Sequence, residues 1–213
     1  MNAPPLSFSP ERAAWHLARG GLLAFPTETS WGLAADAACP AALRALRRLK
    51  GRPAEKPLSV LVEDIAAALA LGAVFSGSAR ALAEAFWPGP LTLVVPQGGA
   101  LAAAVAGPGG ALGLRCSPHP VARELARRAA AAGIGPLTAT SLNASGCPPA
   151  RLREEAERIC RGRPGLALVE GPDAGGAPES SVVDATGAEP KLLREGALAA
   201  AEIARALQGS SRR

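Results

Sequence analysis

Tyrosine is absent from this chain of 213 residues, which has only four phenylalanines and three tryptophans. Aromatic platforms that stack single-stranded bases therefore have little to be built from. The four cysteines (Cys39, Cys116, Cys147, Cys160) show no C-x-x-C spacing, and only His16 and His119 could join them, which argues against structural zinc. Scattered, reduced thiols fit a cytoplasmic protein, each thiol by default a small buried hydrophobe. No 18-residue apolar run and no charged-then-apolar leader appears, so neither a membrane partner nor export is expected. The G-x-x-x-x-G-K-S/T phosphate loop is missing, and so is any Ser-His-Asp or Cys-His arrangement. Phosphate, if bound, must be held mainly by side-chain cations, and no covalent nucleophile is expected.

Charge is sparse and unevenly placed. Arg44, Arg47, Arg48, Lys50, Arg52 and Lys56 face Glu55 alone between residues 42 and 56, so this segment carries the whole net charge of +5. A patch this local favours phosphate ligands or RNA. For Arg44, Arg47 and Arg48 a solvated helix face is an equally good reading.

With 48% apolar residues the chain can bury a substantial core, and its length suits one domain. Ser9-Pro10-Glu11 starts a helix that Gly20-Gly21 ends, and Leu22–Phe25 follows as a buried strand. Pro40 opens a basic helix with Leu43, Leu46 and Leu49 on one stripe and Gly51 as its stop. Strands are expected at Leu58–Val62, Leu91–Val95, Leu112–Arg115, Leu137–Thr140, Leu166–Glu170, Val182–Asp184 and Leu192–Arg194. Helices are expected after Asp64, up to Trp87-Pro88, and at Pro118–Ala132, Ala150–Cys160 and Ala199–Leu207. Residues 97–110 read as a loop or short helix. Alternation of this kind argues a three-layer α/β domain with a mixed sheet over residues 8–208, and a frayed tail at 209–213. Gly171–Pro178 suits a mobile loop over a site or an ordinary surface connection.

Five polar elements carry the chemistry. In Phe25-Pro26-Thr27-Glu28-Thr29-Ser30-Trp31-Gly32-Leu33, an extended backbone would put Thr27, Thr29 and Trp31 on one face. Their hydroxyls can orient a small polar molecule or simply stabilise a turn. In Lys50-Gly51-Arg52-Pro53-Ala54-Glu55-Lys56-Pro57-Leu58, Lys50 and Arg52 would point about 200° apart on a helix. They can grip one polyphosphate only if the helix breaks at Gly51. Arg115 ends the strand Leu112–Arg115, where α/β sheets usually bind ligands, though a surface ion pair is the plain alternative. His119, between two prolines, is more simply structural than catalytic. Thr138-Ala139-Thr140-Ser141-Leu142-Asn143-Ala144-Ser145-Gly146 leaves a strand end with small donors and acceptors, or forms an Asx-type turn. Glu179-Ser180-Ser181-Val182-Val183-Asp184 and Leu193-Arg194-Glu195-Gly196 close the series.

Together, in this order from about Gly20 to Gly196, these elements resemble the YrdC-like family, the threonylcarbamoyl-AMP synthases of tRNA modification. The resemblance implies a twisted mixed sheet flanked by helices, with a concave basic cleft. It implies ATP contacts at Lys50, Arg52, Lys56, Asn143 and Arg194, with charge stabilisation by Lys50 and Arg52. Threonine contacts are implied at Thr29, Arg115, Ser141 and Ser180. Substrates would be ATP, L-threonine and bicarbonate or CO2, with Mg²⁺ entering with ATP and no metal ligands from the protein. The product would pass to a tRNA threonylcarbamoyltransferase, and the basic surface leaves RNA contact open. Two positions depart from the family pattern: Trp31 stands where tyrosine is usual, and Leu61 where histidine often follows. The rival reading is a non-catalytic RNA-binding protein of the same fold.

Overall fold

The computed structural model describes residues 5–99, 101 and 105–210. Its strands are Leu6–Phe8 (β1), Leu22–Pro26 (β2), Trp31–Ala34 (β3), Val60–Leu61 (β4), Leu91–Val95 (β5), Leu112–Arg115 (β6), Thr140–Ser141 (β7), Leu166–Val169 (β8), Ser181–Asp184 (β9) and Lys191–Arg194 (β10). The helices are Pro10–Ala18 (α1), Pro40–Lys50 (α2), Ile65–Ala70 (α3), Gly77–Phe86 (α4), Pro120–Ala131 (α5), Arg153–Cys160 (α6) and Ala200–Ser210 (α7).

The strands form two five-stranded mixed sheets rather than the single sheet expected, ordered β1-β8-β2-β3-β7 and β10-β9-β5-β6-β4. The reason lies in residues 137–141, of which Leu137–Thr140 were expected as one strand. Leu61 donates its N–H to Leu137 O and Ala139 donates to Ser59 O, both at 2.7 Å, so the first part serves the second sheet. Thr140 and Ser141 instead pair with Leu33 and Gly32 of the first sheet. Between them the buried Thr138 hydroxyl accepts from Ala35 N–H at 3.0 Å and donates to Leu33 O at 3.2 Å. Residues 136–138 also bond to residues 35–37, Thr138 N–H to Ala35 O at 2.9 Å and Ala37 N–H to Pro136 O at 3.0 Å, so the crossing segment lies between the two sheets.

Two strands escaped the sequence reading. β1 is short and mostly exposed, so it shows no apolar period, and it is held by parallel pairing of Leu6–Phe8 with Ala167–Val169. β3 forms an antiparallel hairpin with β2, Pro26 opposite Trp31.

Strand parity decides where the core ends and the site begins. Leu23 and Phe25 of β2 pack under α1 and α5 with Ala13, Leu17, Ala122 and Leu125. Leu22, Ala24, Leu33, Leu166 and Leu168, on the other parity, join the main core. In the second sheet Leu91, Leu93, Val95, Leu112 and Leu114 are fully buried in the core that also takes Leu82 of α4 and Ile203 of α7. Thr92, Val94, Gly113 and Arg115 therefore face the opposite way.

Helix ends follow local chemistry. Asp64 caps α3 by accepting from Ala67 N–H at 2.7 Å. Gly51, at φ 58°, closes α2 in the left-handed region that glycine enters without penalty, and Arg52 N–H bonds back to Arg47 O at 2.9 Å. α5 begins at Pro120 rather than Pro118 because the His119 ring caps it, Nδ1 accepting from Val121 N–H at 3.3 Å. α6 begins at Arg153 rather than Ala150, with Glu155 accepting from Arg151 N–H at 2.7 Å. α7 runs to Ser210, past the point where fraying was expected, and the remainder of that tail lies outside the described residues.

Candidate active site

A cavity of about 540 Å³ lies over the non-core face of the second sheet, within the range of small-molecule sites. Its lining includes Thr92 and Val94 of β5, Gly113 and Arg115 of β6, Val182 and Asp184 of β9, and Leu193 and Arg194 of β10. Facing them are Phe25, Thr27, Thr29, Ser30 and Gly32 of the β2–β3 hairpin, with Ala139, Thr140 and Ser141 from the crossing segment. Arg52, Pro57, Leu58 and Ser59 close one side.

The hairpin is tight because Thr27 acts as its internal brace. Thr27 Oγ1 donates to Ser30 O at 2.7 Å and accepts from the N–H groups of Thr29 and Ser30, both at 3.2 Å. Residues 27–30 are thus a turn, the second of the two readings open for these hydroxyls, and the face that an extended backbone would give Thr27, Thr29 and Trp31 does not form. Thr29 reaches the cavity with its hydroxyl 3.0 Å from that of Thr27. Trp31 is fully buried and provides no wall; its Nε1 donates to Asp173 Oδ1 at 2.9 Å. Gly32 takes the cavity position instead.

Lys50 and Arg52 part company at Gly51, as the sequence requires, but with different outcomes. Lys50 is 2% exposed, and its ammonium donates to Asn143 Oδ1 at 2.6 Å, Asn143 O at 3.1 Å and Ser141 O. Its three N–H donors are engaged within the protein, so in this structure Lys50 pins the Ser141–Asn143 segment rather than standing open to phosphate. Burial, then the Arg52 guanidinium, bring Lys50 down to about 8, with Glu179 opposing. Arg52 lines the cavity; Nη2 donates to Pro57 O at 2.7 Å while Nε is buried without a partner. Arg47, for which a solvated helix face was one of two equal readings, shapes this loop by donating to Pro53 O at 2.7 Å and Lys56 O at 3.0 Å. Lys56 is exposed and outside the cavity lining.

Ser141 Oγ donates to Asn143 Oδ1 at 2.8 Å, and Asn143 Nδ2 donates to Cys147 O. Residues after Ser141 turn, so no extended face joins Ser141, Asn143 and Ser145, and Ser145 is exposed. Of the three, only Ser141 lines the cavity.

Arg115 is 5% exposed and lines the cavity, yet it is already paired with Glu28 through Nη2, while Nη1 donates to Gly89 O. Burial pulls its guanidinium down to about 9. Ser180 shares a hydrogen bond with Thr92, Oγ to Oγ1 at 2.9 Å. Arg194 is steadied by Glu179 Oε2 at 2.9 Å and by Ser180 O at 2.8 Å. The cavity is therefore not uniformly basic, since Glu179 and Asp184 line it beside the three arginines. His119, 8% exposed, takes the structural reading: Nε2 donates to Asp173 O at 3.0 Å and burial holds its pKa below the usual value. Asp173, with Gly175 N–H donating to Thr27 O at 2.9 Å, seats the 171–178 loop on the hairpin.

Thr29, Arg52, Arg115, Ser141, Ser180 and Arg194 thus meet around one cavity, while Lys50, Asn143 and Lys56 stand behind or outside it. Thr92 and Glu28 were not singled out from sequence. Thr92 had a readable signal, a polar residue on alternate parity in an apolar strand; Glu28 had none, because its role depends on a strand 87 residues away.

Gly196 explains the end of the last motif. A Cβ there would lie 2.1 Å from Glu179 O and 2.8 Å from the Ser180 carbonyl carbon. Gly196→Ala is expected to push β10 from the 179–180 backbone and cost about 1–3 kcal/mol, measurable by urea unfolding.

The Sua5/YciO/YrdC family model, described as telomere recombination, matches residues 16–196. A threonylcarbamoyl-AMP synthase of Stenotrophomonas maltophilia is 38% identical over 173 residues, covering 79% of this chain and 89% of its own. The structure of P. abyssi Sua5 complexed with L-threonine superposes with a TM-score of 0.81 at 31% identity, over 94% of this chain but 59% of that one. E. coli YciO shares the fold, with a TM-score of 0.76 at 18% identity. With the family model spanning most of its length, the chain belongs to the Sua5/YciO/YrdC family.

Proposed function

We propose that this protein makes threonylcarbamoyl-AMP and pyrophosphate from L-threonine, bicarbonate or CO2, and ATP. One observation carries the reading: arginines 52, 115 and 194 and the hydroxyls of Thr29, Ser141 and Ser180 line the same cavity. The threonine-bound relative of the same fold and the synthases among its relatives support it.

The chemistry needs no side-chain nucleophile. The free amine of threonine adds to the carbon of CO2 and loses a proton, giving a carbamate. A carbamate oxygen attacks the α-phosphorus of ATP, a P–O bond forms, and the bond to pyrophosphate breaks. Alignment and neutralisation of phosphate charge supply the rate. Arg52 and Arg194 serve the triphosphate; Arg115, Thr29, Ser141 and Ser180 serve the amino acid. Lys50 and Asn143 act from behind, by fixing Ser141. Mg²⁺ would enter as part of the nucleotide substrate, held by phosphate oxygens and water.

Purified protein given ATP and a panel of amino acids is expected to release pyrophosphate with threonine, and only when bicarbonate is present. Release that is independent of bicarbonate would sink the reading. Salt-sensitive RNA binding without ATP turnover would favour the non-catalytic alternative.

A further inference from the structure

Glu28 has no part in the reaction as described, yet it ties the two walls of the cavity together. One carboxylate oxygen accepts from Arg115 Nη2 and the other from Ser117 Oγ. Glu28 belongs to the first sheet's hairpin, Arg115 to the second sheet's β6, so the pair bridges the walls at the amino-acid end. Its neighbour in the turn is Thr29, so one side chain sets a hydroxyl of one wall against a cation of the other.

The backbone of Glu28 is fixed as well. Ala177 N–H donates to Glu28 O at 3.4 Å, and a Cβ on Gly175 would sit 2.5 Å from that oxygen. The 171–178 loop is thus seated directly on the turn. The triphosphate side is held differently: Arg52 leans on Pro57 O, and Arg194 on Glu179 and Ser180. None of these contacts passes through Glu28.

We infer that Glu28 is a positioning residue for the amino-acid half of the site, orienting Arg115 and Thr29 toward the incoming substrate. A buried guanidinium without a counter-charge would swing toward water or other carbonyls; held by Glu28, its remaining N–H groups keep one direction. The inference rests on the reading that the cavity takes an amino acid and ATP.

Steady-state kinetics of pyrophosphate release with Glu28→Ala, Glu28→Gln and Glu28→Asp test it, with thermal unfolding recorded for each. Glu28→Ala is expected to raise KM for threonine about tenfold or more and leave KM for ATP within about twofold. Glu28→Gln keeps an acceptor for Arg115 and is expected to recover most of that loss. Should the alanine variant not fold, Glu28→Asp carries the test, because its shorter arm keeps the charge but displaces Arg115. It too should raise KM for threonine alone. KM values that rise in parallel for both substrates, or a threonine KM unchanged in the alanine variant, would overturn the inference while leaving the proposed reaction standing. Wild-type protein that releases no pyrophosphate with any amino acid removes the reaction and the inference together.

Discussion

Arg52→Ala is expected to slow threonine-dependent pyrophosphate release by about 30- to 1000-fold, the rate equivalent of losing roughly 2–4 kcal/mol of phosphate contact. Arg44→Ala is expected to leave the rate almost unchanged. Both residues come from the same basic run, and the difference lies in what surrounds each. Arg44 is exposed on the outer face of α2. Arg52 lines the cavity. Its guanidinium can meet phosphate oxygens with the donors that Pro57 O leaves free. Burial lowers the pKa of this guanidinium, and Arg47 adds to the effect, which makes an arriving anion still more favourable. Arg52→Lys keeps the charge but not the fork and is expected to recover only part of the rate. Similar rates for the Arg44 and Arg52 variants would end the distinction between cavity and surface cations.

That distinction was half legible in the sequence. Gly51 marks the place where the helix must stop, and it does, so the divergence of Lys50 and Arg52 followed from one residue. What the sequence could not give was the destination of each. Lys50 goes inward because residues 141–143, far along the chain, offer three oxygens at its tip. The strands were largely readable from apolar runs, and β5 and β6 also encode the cavity face through Thr92 and Arg115. In the hairpin the turn-stabilising alternative holds, because Thr27 braces residues 27–30 through its own hydroxyl, and a turn removes the parity that an extended backbone would give Trp31. The division into two sheets was not readable either. It depends on Thr138 satisfying the backbone of β3 while its neighbours pair with β4.

Lys50→Met is expected to fail differently from Arg52→Ala, losing stability and turnover together. Methionine fills a similar volume but donates nothing, so Ser141 O, Asn143 O and Asn143 Oδ1 lose their shared donor. Leaving such acceptors unmet costs about 1–3 kcal/mol, and urea unfolding should show it. Ser141 then shifts against the cavity, and a misplacement near 1 Å is worth about 100-fold in rate. Because a misplaced Ser141 slows the chemical step itself, kcat/KM for ATP and for threonine should fall together. Arginine should not rescue it, since a side chain 2% exposed leaves no room for a guanidinium. The titration of Lys50 supplies an independent check. Its folded pKa is depressed to about 8 by burial, against the ordinary lysine value of 10.5. Between these values the unfolded chain holds more protons than the folded one, so the stability of wild type relative to Lys50→Met rises with pH across that window. The gain is complete above the unfolded value and lost as pH falls through about 8. A stability difference that stays flat from pH 7 to 10.5 would mean that the three acceptors of the ammonium offset the cost of its burial. A Lys50→Met variant as stable as wild type at neutral pH would end the pin on Ser141 and Asn143.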